Sequence, residues 1–176
     1  MGVAVRKGGP RDVEAVLALF DGAVRWLADR GLTGQWGSAP FSTSSERIGQ
    51  ARGWGRSGGL RIAHADGTPV GAMVVGAAPA YVFPGREPEL YVRALVSSRE
   101  HPAGRGAGRL LLTQARAEAV DRGLGLLRVD CWAGGEGALI RYYQSAGFTP
   151  TERFMVGDWQ GQVLEQRLPV DDRTGA

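Results

Sequence analysis

The chain has 176 residues, 43% hydrophobic and 22% charged, with a net charge of +3. That length supports one ordinary domain with a real core but not two full-sized ones, and no stretch approaches the roughly 20 apolar residues of a membrane span. A lone cysteine, Cys131, excludes an internal disulfide and a cysteine zinc cage, the two histidines His64 and His101 make a poor metal set, and interspersed charges leave no basic stripe for nucleic acid. The expectation is metal-free chemistry without a nucleic-acid or membrane partner. Met1 to Pro10 lacks an apolar run with a small-residue cleavage pattern, so a cytoplasmic location is expected.

Val3 and Val5 begin a short strand, closed by Gly8-Gly9-Pro10. Val13, Val16, Leu17, Phe20, Val24 and Leu27 then recur every three or four residues, the mark of one apolar helix face, with Gly31 as the stop. Thr43 and Glu46 stand three apart as a capping box for a second helix, expected to break at Gly53 to Gly59. Leu60 to Ala65 and Val70 to Val75 flank Asp66-Gly67, an antiparallel hairpin signal that puts His64 in an edge-like position. A proline-rich loop, Ala77 to Pro88, leads to a strand at Glu89 to Ser97. A glycine run follows, then a helix over Leu110 to Arg122, a strand over Leu126 to Trp132, and a helix over Glu136 to Ala146. The strand before and the strand after the first of these helices read as a parallel crossover unit. Thr151 to Val156 and Val163 to Leu168 close the chain around a turn at Gly157 to Gly161. One domain over 1–176 is expected, with its core at about 3–168 and a polar tail at 169–176.

The run Gly104-Arg105-Gly106-Ala107-Gly108-Arg109 lies between a strand and a helix, where backbone N–H groups form the open N-terminus of that helix. Such an end carries unpaired donors and about half a positive charge, and it can receive a phosphate without a lysine. A nucleoside triphosphate loop would need Lys and then Ser or Thr after its last glycine, but Arg109 and Leu110 stand there. A dinucleotide fingerprint would need a third glycine where Arg109 or Leu111 stands. What remains is a turn that lets backbone approach a pyrophosphate, with Arg105 and Arg109 at its rim.

With this turn in place, the chain resembles the GNAT superfamily of acyl-CoA-dependent N-acyltransferases over about Val3 to Leu168. Ala103 to Gly108 match the two glycine positions of that family's phosphate motif, although Ala103 stands where arginine or glutamine is usual. Tyr143-Gln144-Ser145-Ala146-Gly147-Phe148 matches its second signature, Tyr-x-x-x-Gly-Phe. The resemblance implies an α/β fold with a mixed sheet of six or seven strands and helices on both faces. It implies acetyl transfer from acetyl-CoA to a primary amine of a small molecule or peptide by direct attack, in a monomer or homodimer. It assigns the pyrophosphate to Gly104, Arg105, Gly106, Ala107, Gly108 and Arg109, and the pantetheine arm and thioester carbonyl to backbone groups of Leu95, Val96 and Ser97. Tyr143 matches the family's general acid. Glu89 resembles the base of some histone-type members, with Glu87, Asp130 or water as alternatives. Trp26, Trp36, Tyr81, Phe83 and Trp132 are the aromatics that could wall an acceptor pocket. Cys131 alternates with Leu127 and Val129 and reads as core. The other reading of the same fold is a non-catalytic acyl-CoA sensor.

Overall fold

Alternating and periodic apolar positions become strands and helices in a computed structural model that describes residues 2–170. Residues 171–176, most of the expected polar tail, lie outside the described residues. The strands are β1 (Val3–Lys7), β2 (Leu60–Ala65), β3 (Thr68–Gly76), β4 (Glu89–Ser97), β5 (Leu126–Trp132), β6 (Thr149–Val156) and β7 (Trp159–Arg167). The helices are α1 (Val13–Ala28), α2 (Ser45–Arg56), α3 (Ala107–Asp121) and α4 (Ala138–Ser145). The seven strands form one mixed sheet in the order β1-β2-β3-β4-β5-β7-β6. Only β4 and β5 run parallel among the recorded pairings, as a crossover through α3 requires; the β1–β2, β2–β3, β5–β7 and β6–β7 pairs are antiparallel.

The chain divides into two compact units, one built from the residues up to Val75 with Ala94–Leu111, the other from Gly76–Arg93 with the residues from Leu112 onward. In the first, Val16, Phe20 and Val24 of α1 pack with Phe41 and Ala51 on Leu60, Ile62, Ala72, Val74 and Val96. On the other face of β3, a Cβ added at Gly71 would sit 3.2 Å from Leu111 Cδ1 and 3.3 Å from the Ala107 side chain. Helices therefore cover both faces of β3, and a glycine lets α3 lie close. In the second unit β5 is flanked by β4 and β7, and Val82, Tyr91 and Val163 form a cluster with Ala78 and Phe154.

Several expected boundaries move. Ser44, not Thr43, caps α2, accepting from the Arg47 amide at 3.3 Å, while the Thr43 hydroxyl donates to the Pro40 carbonyl. Gly53 and Gly55 do not break α2, because Gly55 serves packing: a Cβ there would meet Val13 Cγ2 at 3.0 Å and Pro10 Cα at 3.1 Å. Helix α3 starts at Ala107 rather than Leu110, and α4 at Ala138, since Glu136 and Gly137 have φ of 60° and 76°. Strand β2, with His64, lies between β1 and β3 rather than at an edge. The β6–β7 turn is tighter than expected, spanning only Gly157 and Asp158.

Candidate functional site

The end of β4 and the entrance of α3 belong to the first unit. Ser98 anchors the connection: its amide donates to the Val70 carbonyl at 2.8 Å, and its hydroxyl accepts from the His101 amide at 3.0 Å. His101 Nδ1 accepts from the Ala103 amide at 3.0 Å, capping a short turn over Pro102–Gly104. Gly104 then passes so close to Ser98 that an added Cβ would collide with the Ser98 carbonyl oxygen. Gly106 has φ of +90°, which turns the chain into α3, and its carbonyl takes the first intrahelical bond, from Leu110 at 3.1 Å. The amides of Ala107 and Gly108 thus precede any i→i−4 acceptor. Arg105, Gly106 and Arg109 are exposed, whereas Ala107 is buried. Leu95 and Ser97 are half-buried and Val96 is core.

In the second unit the parallel register runs from Glu89↔Leu126 to Val92↔Val129, while β5 continues to Trp132 along β7. Two side-chain pairs cross these strands on the same diagonal. Glu89 is taken up by Arg128, whose Nε and Nη2 reach its two oxygens, the latter at 2.8 Å. Arg128 Nη2 also donates to the Phe83 carbonyl at 2.9 Å, and Glu89 accepts from the Gly85 amide at 3.3 Å. The hydrogen bond to Glu89 raises the Arg128 pKa above its ordinary value. Two residues further along, Asp130 Oδ2 accepts from the Tyr91 hydroxyl at 2.5 Å and the Tyr81 hydroxyl at 3.3 Å. Burial pushes the Asp130 carboxyl above the usual carboxylate range against the pull of these two donors. Burial, with the charge of Asp130, pushes both phenols up in turn. Glu89 is thus bound to a cation, whereas the hydrogen bonds that Asp130 accepts come from neutral hydroxyls.

Helix α4 explains the tyrosine signature physically. Gly147, at φ of +100°, lets the chain reverse so that Phe148 donates its amide to the Tyr143 carbonyl and Gly147 to that of Gln144, both at 3.0 Å. This is a glycine-dependent helix stop, closed by the apolar contact it usually brings. Here that contact is Phe148 against Tyr143, with ring centroids 5.8 Å apart and nearly perpendicular. Tyr142 packs on the other side at 5.2 Å. The Tyr143 side chain is therefore buried, and burial lifts its phenol well above the ordinary value. Cys131 is buried, and desolvation pushes its thiol up to about 12, which leaves it inert as a nucleophile.

The remaining candidates separate cleanly. Glu87 is paired with Arg167 at the surface. Trp36 is half-buried and packs against the core, 5.1 Å from Phe20 and edge-on, and Trp26 lies under Arg30 and Arg99. Trp132 is half-buried, against Gly134, whereas Tyr81 and Phe83 are exposed. Tyr91 and Ser98 are candidates that the sequence alone did not single out. Tyr91 was signalled by alternation: Glu89 and Tyr91 on β4, and Arg128 and Asp130 on β5, occupy every second position of neighbouring strands. Among the described residues no cluster of potential metal ligands occurs, and no helix is long and apolar enough to cross a membrane.

A family model described as the acetyltransferase (GNAT) family matches residues 21–148, which contain the glycine turn, β5 and the tyrosine signature. No curated protein sequence matches the chain. Among solved structures, a GNAT-family acetyltransferase from Listeria monocytogenes is 18% identical with a TM-score of 0.68, covering 94% of this chain and 95% of that one. A ribosomal-protein-alanine N-acetyltransferase from Brucella melitensis is 21% identical at 0.66, covering 94% and 99%. The yncA protein of Salmonella typhimurium, solved with its cofactor acetyl-CoA, is 19% identical at 0.65, covering 97% and 96%. These structures share the fold.

Proposed function

This chain belongs to the acetyltransferase (GNAT) family, and from that premise we propose that residues 3–168 form one such domain, which moves an acetyl group from acetyl-CoA to a primary amine of a small molecule or peptide. The observation that carries this reading is the entrance of α3, where first-turn amides open directly behind the Gly104–Gly106 turn and after β4. Those donors suit the two phosphoryl groups of CoA, and the exposed Arg105 and Arg109 add charge at the rim in place of a lysine. Backbone groups of Leu95, Val96 and Ser97, beyond the last β4–β5 register pair, are assigned to the pantetheine arm and the thioester oxygen.

Acetyl-CoA supplies a thioester whose C–S bond breaks as the C–N bond to the amine forms. An amine must lose a proton to attack, and Asp130 is the group assigned to receive it. Its raised pKa brings it towards the range in which a carboxylate works as a base, whereas the Glu89 carboxylate is neutralised by Arg128. Glu89 then acts as a positioning residue for Arg128 and the Phe83–Gly85 loop. Tyr143 is assigned the proton for the departing sulfur; its raised phenol stays protonated wherever the amine is nucleophilic, which supports the role. One proton passes from nitrogen to Asp130 and one from Tyr143 to sulfur, and solvent restores both groups.

The test is an amine panel with acetyl-CoA, followed by release of free CoA thiol. Amine-dependent release that falls by about 10²-fold or more in Tyr143→Phe, with CoA affinity retained, is expected. Tight CoA binding without turnover on any amine would instead indicate a sensor.

A further inference from the structure

Four aromatic side chains of the second unit, one of them hydrogen-bonded to Asp130, are unused by the proton transfers above. Tyr81 and Phe83, on the loop before β4, are 48% and 76% exposed. Tyr81 stacks on Phe154 of β6, with centroids 5.4 Å apart and planes 26° from parallel, and Phe154 tilts against Trp159 of β7 at 5.9 Å. Tyr81, Val82, Phe83, Phe154 and Val163 contribute to the wall of a cavity of about 130 Å³, in which Glu152 is the only charged residue. The exposure of Phe83 is built in, because the Arg128–Glu89 pair holds its carbonyl and the Gly85 amide. Tyr81 links this cavity to Asp130 through its hydroxyl.

We infer that this cavity receives the apolar body of the acceptor, which makes the acceptor class a monoamine carrying one aromatic ring or one branched alkyl group, its nitrogen one or two carbons away. The inference rests on the proposed role of Asp130. Size suits a single ring: an apolar cavity of about 150 Å³ holds one benzene, close to the 130 Å³ here. Chemistry decides against polyamines and sugars, whose polar groups would be stranded against aromatic and valine walls. Charge decides against acceptors that carry a carboxylate, since Asp130 and Glu152 would repel it. Of the cations that face Asp130, Arg128 is paired with Glu89, and Arg93 is exposed to solvent and bonded to the Ala77 carbonyl at 2.9 Å. The exposed part of the Tyr81 ring offers a π-surface to the incoming ammonium.

Phenethylamine, isoamylamine, ethylamine, putrescine and phenylalanine compared by CoA thiol release test this directly. The kcat/KM for phenethylamine should exceed that for ethylamine by about a hundredfold, the value of burying one ring, and Phe83→Ala should cut that ratio about tenfold, with Phe83→Leu restoring most of it. The Phe83 ring is exposed, so its loss does not threaten folding. A preference for putrescine or ethylamine would overturn the pocket while leaving amine acetylation standing. If no amine is turned over, the acetylation reading fails, and calorimetry judges the pocket alone. Saturable phenethylamine binding that weakens in Phe83→Ala would support it, and absence of binding would overturn it.

Discussion

Replacing Glu89 by glutamine separates a base from an anchor. The Arg128 and Glu89 side chains are only 5% and 11% exposed, and the other carboxylate near Arg128, that of Glu152, lies 3.9 Å away. Removing one partner of a buried pair typically costs about 3–5 kcal/mol, because the surviving charge is left without compensation. Glutamine keeps one oxygen for Arg128, which points to the lower end, about 3 kcal/mol. For a chain of this size about 1 kcal/mol moves Tm by roughly 2–4 °C, so thermal unfolding should occur about 6–12 °C lower. Replacing both partners, as Glu89→Leu with Arg128→Met, should recover most of the loss, since apolar groups of similar volume need no charge partner. The remaining activity of Glu89→Gln should keep the acidic limb of its pH profile, because Asp130 carries the titration. An unchanged Tm, or loss of that limb, would refute the assignment of Glu89 as an anchor.

Asp130→Asn should lower kcat by about 10²–10⁴-fold, yet stabilise the protein at neutral pH. The folded-state pKa of Asp130 is raised, so the native chain binds that proton more tightly and loses stability as pH rises from about 4 through the raised value. The Tm advantage of Asp130→Asn should therefore be small at pH 4 and grow as pH rises, and a constant gap would contradict the buried, charged carboxyl. Tyr143→Phe keeps the ring packed on Phe148, so Tm should move little while kcat falls; equal losses in both would mean a packing role only. Gly104→Ala forces a Cβ into the Ser98 carbonyl, and calorimetry should show CoA affinity reduced by more than about tenfold. Unchanged affinity would remove the turn from the site.

The parts of the molecule set by local chemistry were legible in the sequence. The α1 stripe, the Asp66-Gly67 hairpin, the crossover through α3 and the Gly147 stop all rest on periodicity or on a residue needing positive φ, and all are present. What escaped depended on contacts between distant segments. Gly53 and Gly55 look like helix breakers until Val13 and Pro10 approach Gly55 so closely that a Cβ there would crowd them. Glu89 looks like a solvated strand end until the parallel register sets it diagonally against Arg128, 39 residues on, and the same offset joins Tyr91 to Asp130. Register between strands is a tertiary property, so the choice between the two carboxylates awaited the fold.

The claim that matters most is that open amides at the entrance of α3 hold the pyrophosphate. Backbone ¹⁵N–¹H spectra recorded while CoA, and separately pantetheine, is added test it most directly. The Gly106, Ala107, Gly108 and Arg109 amides should move most with CoA and stay put with pantetheine, which lacks the phosphates. Saturable CoA binding that left those four amides unmoved would contradict it.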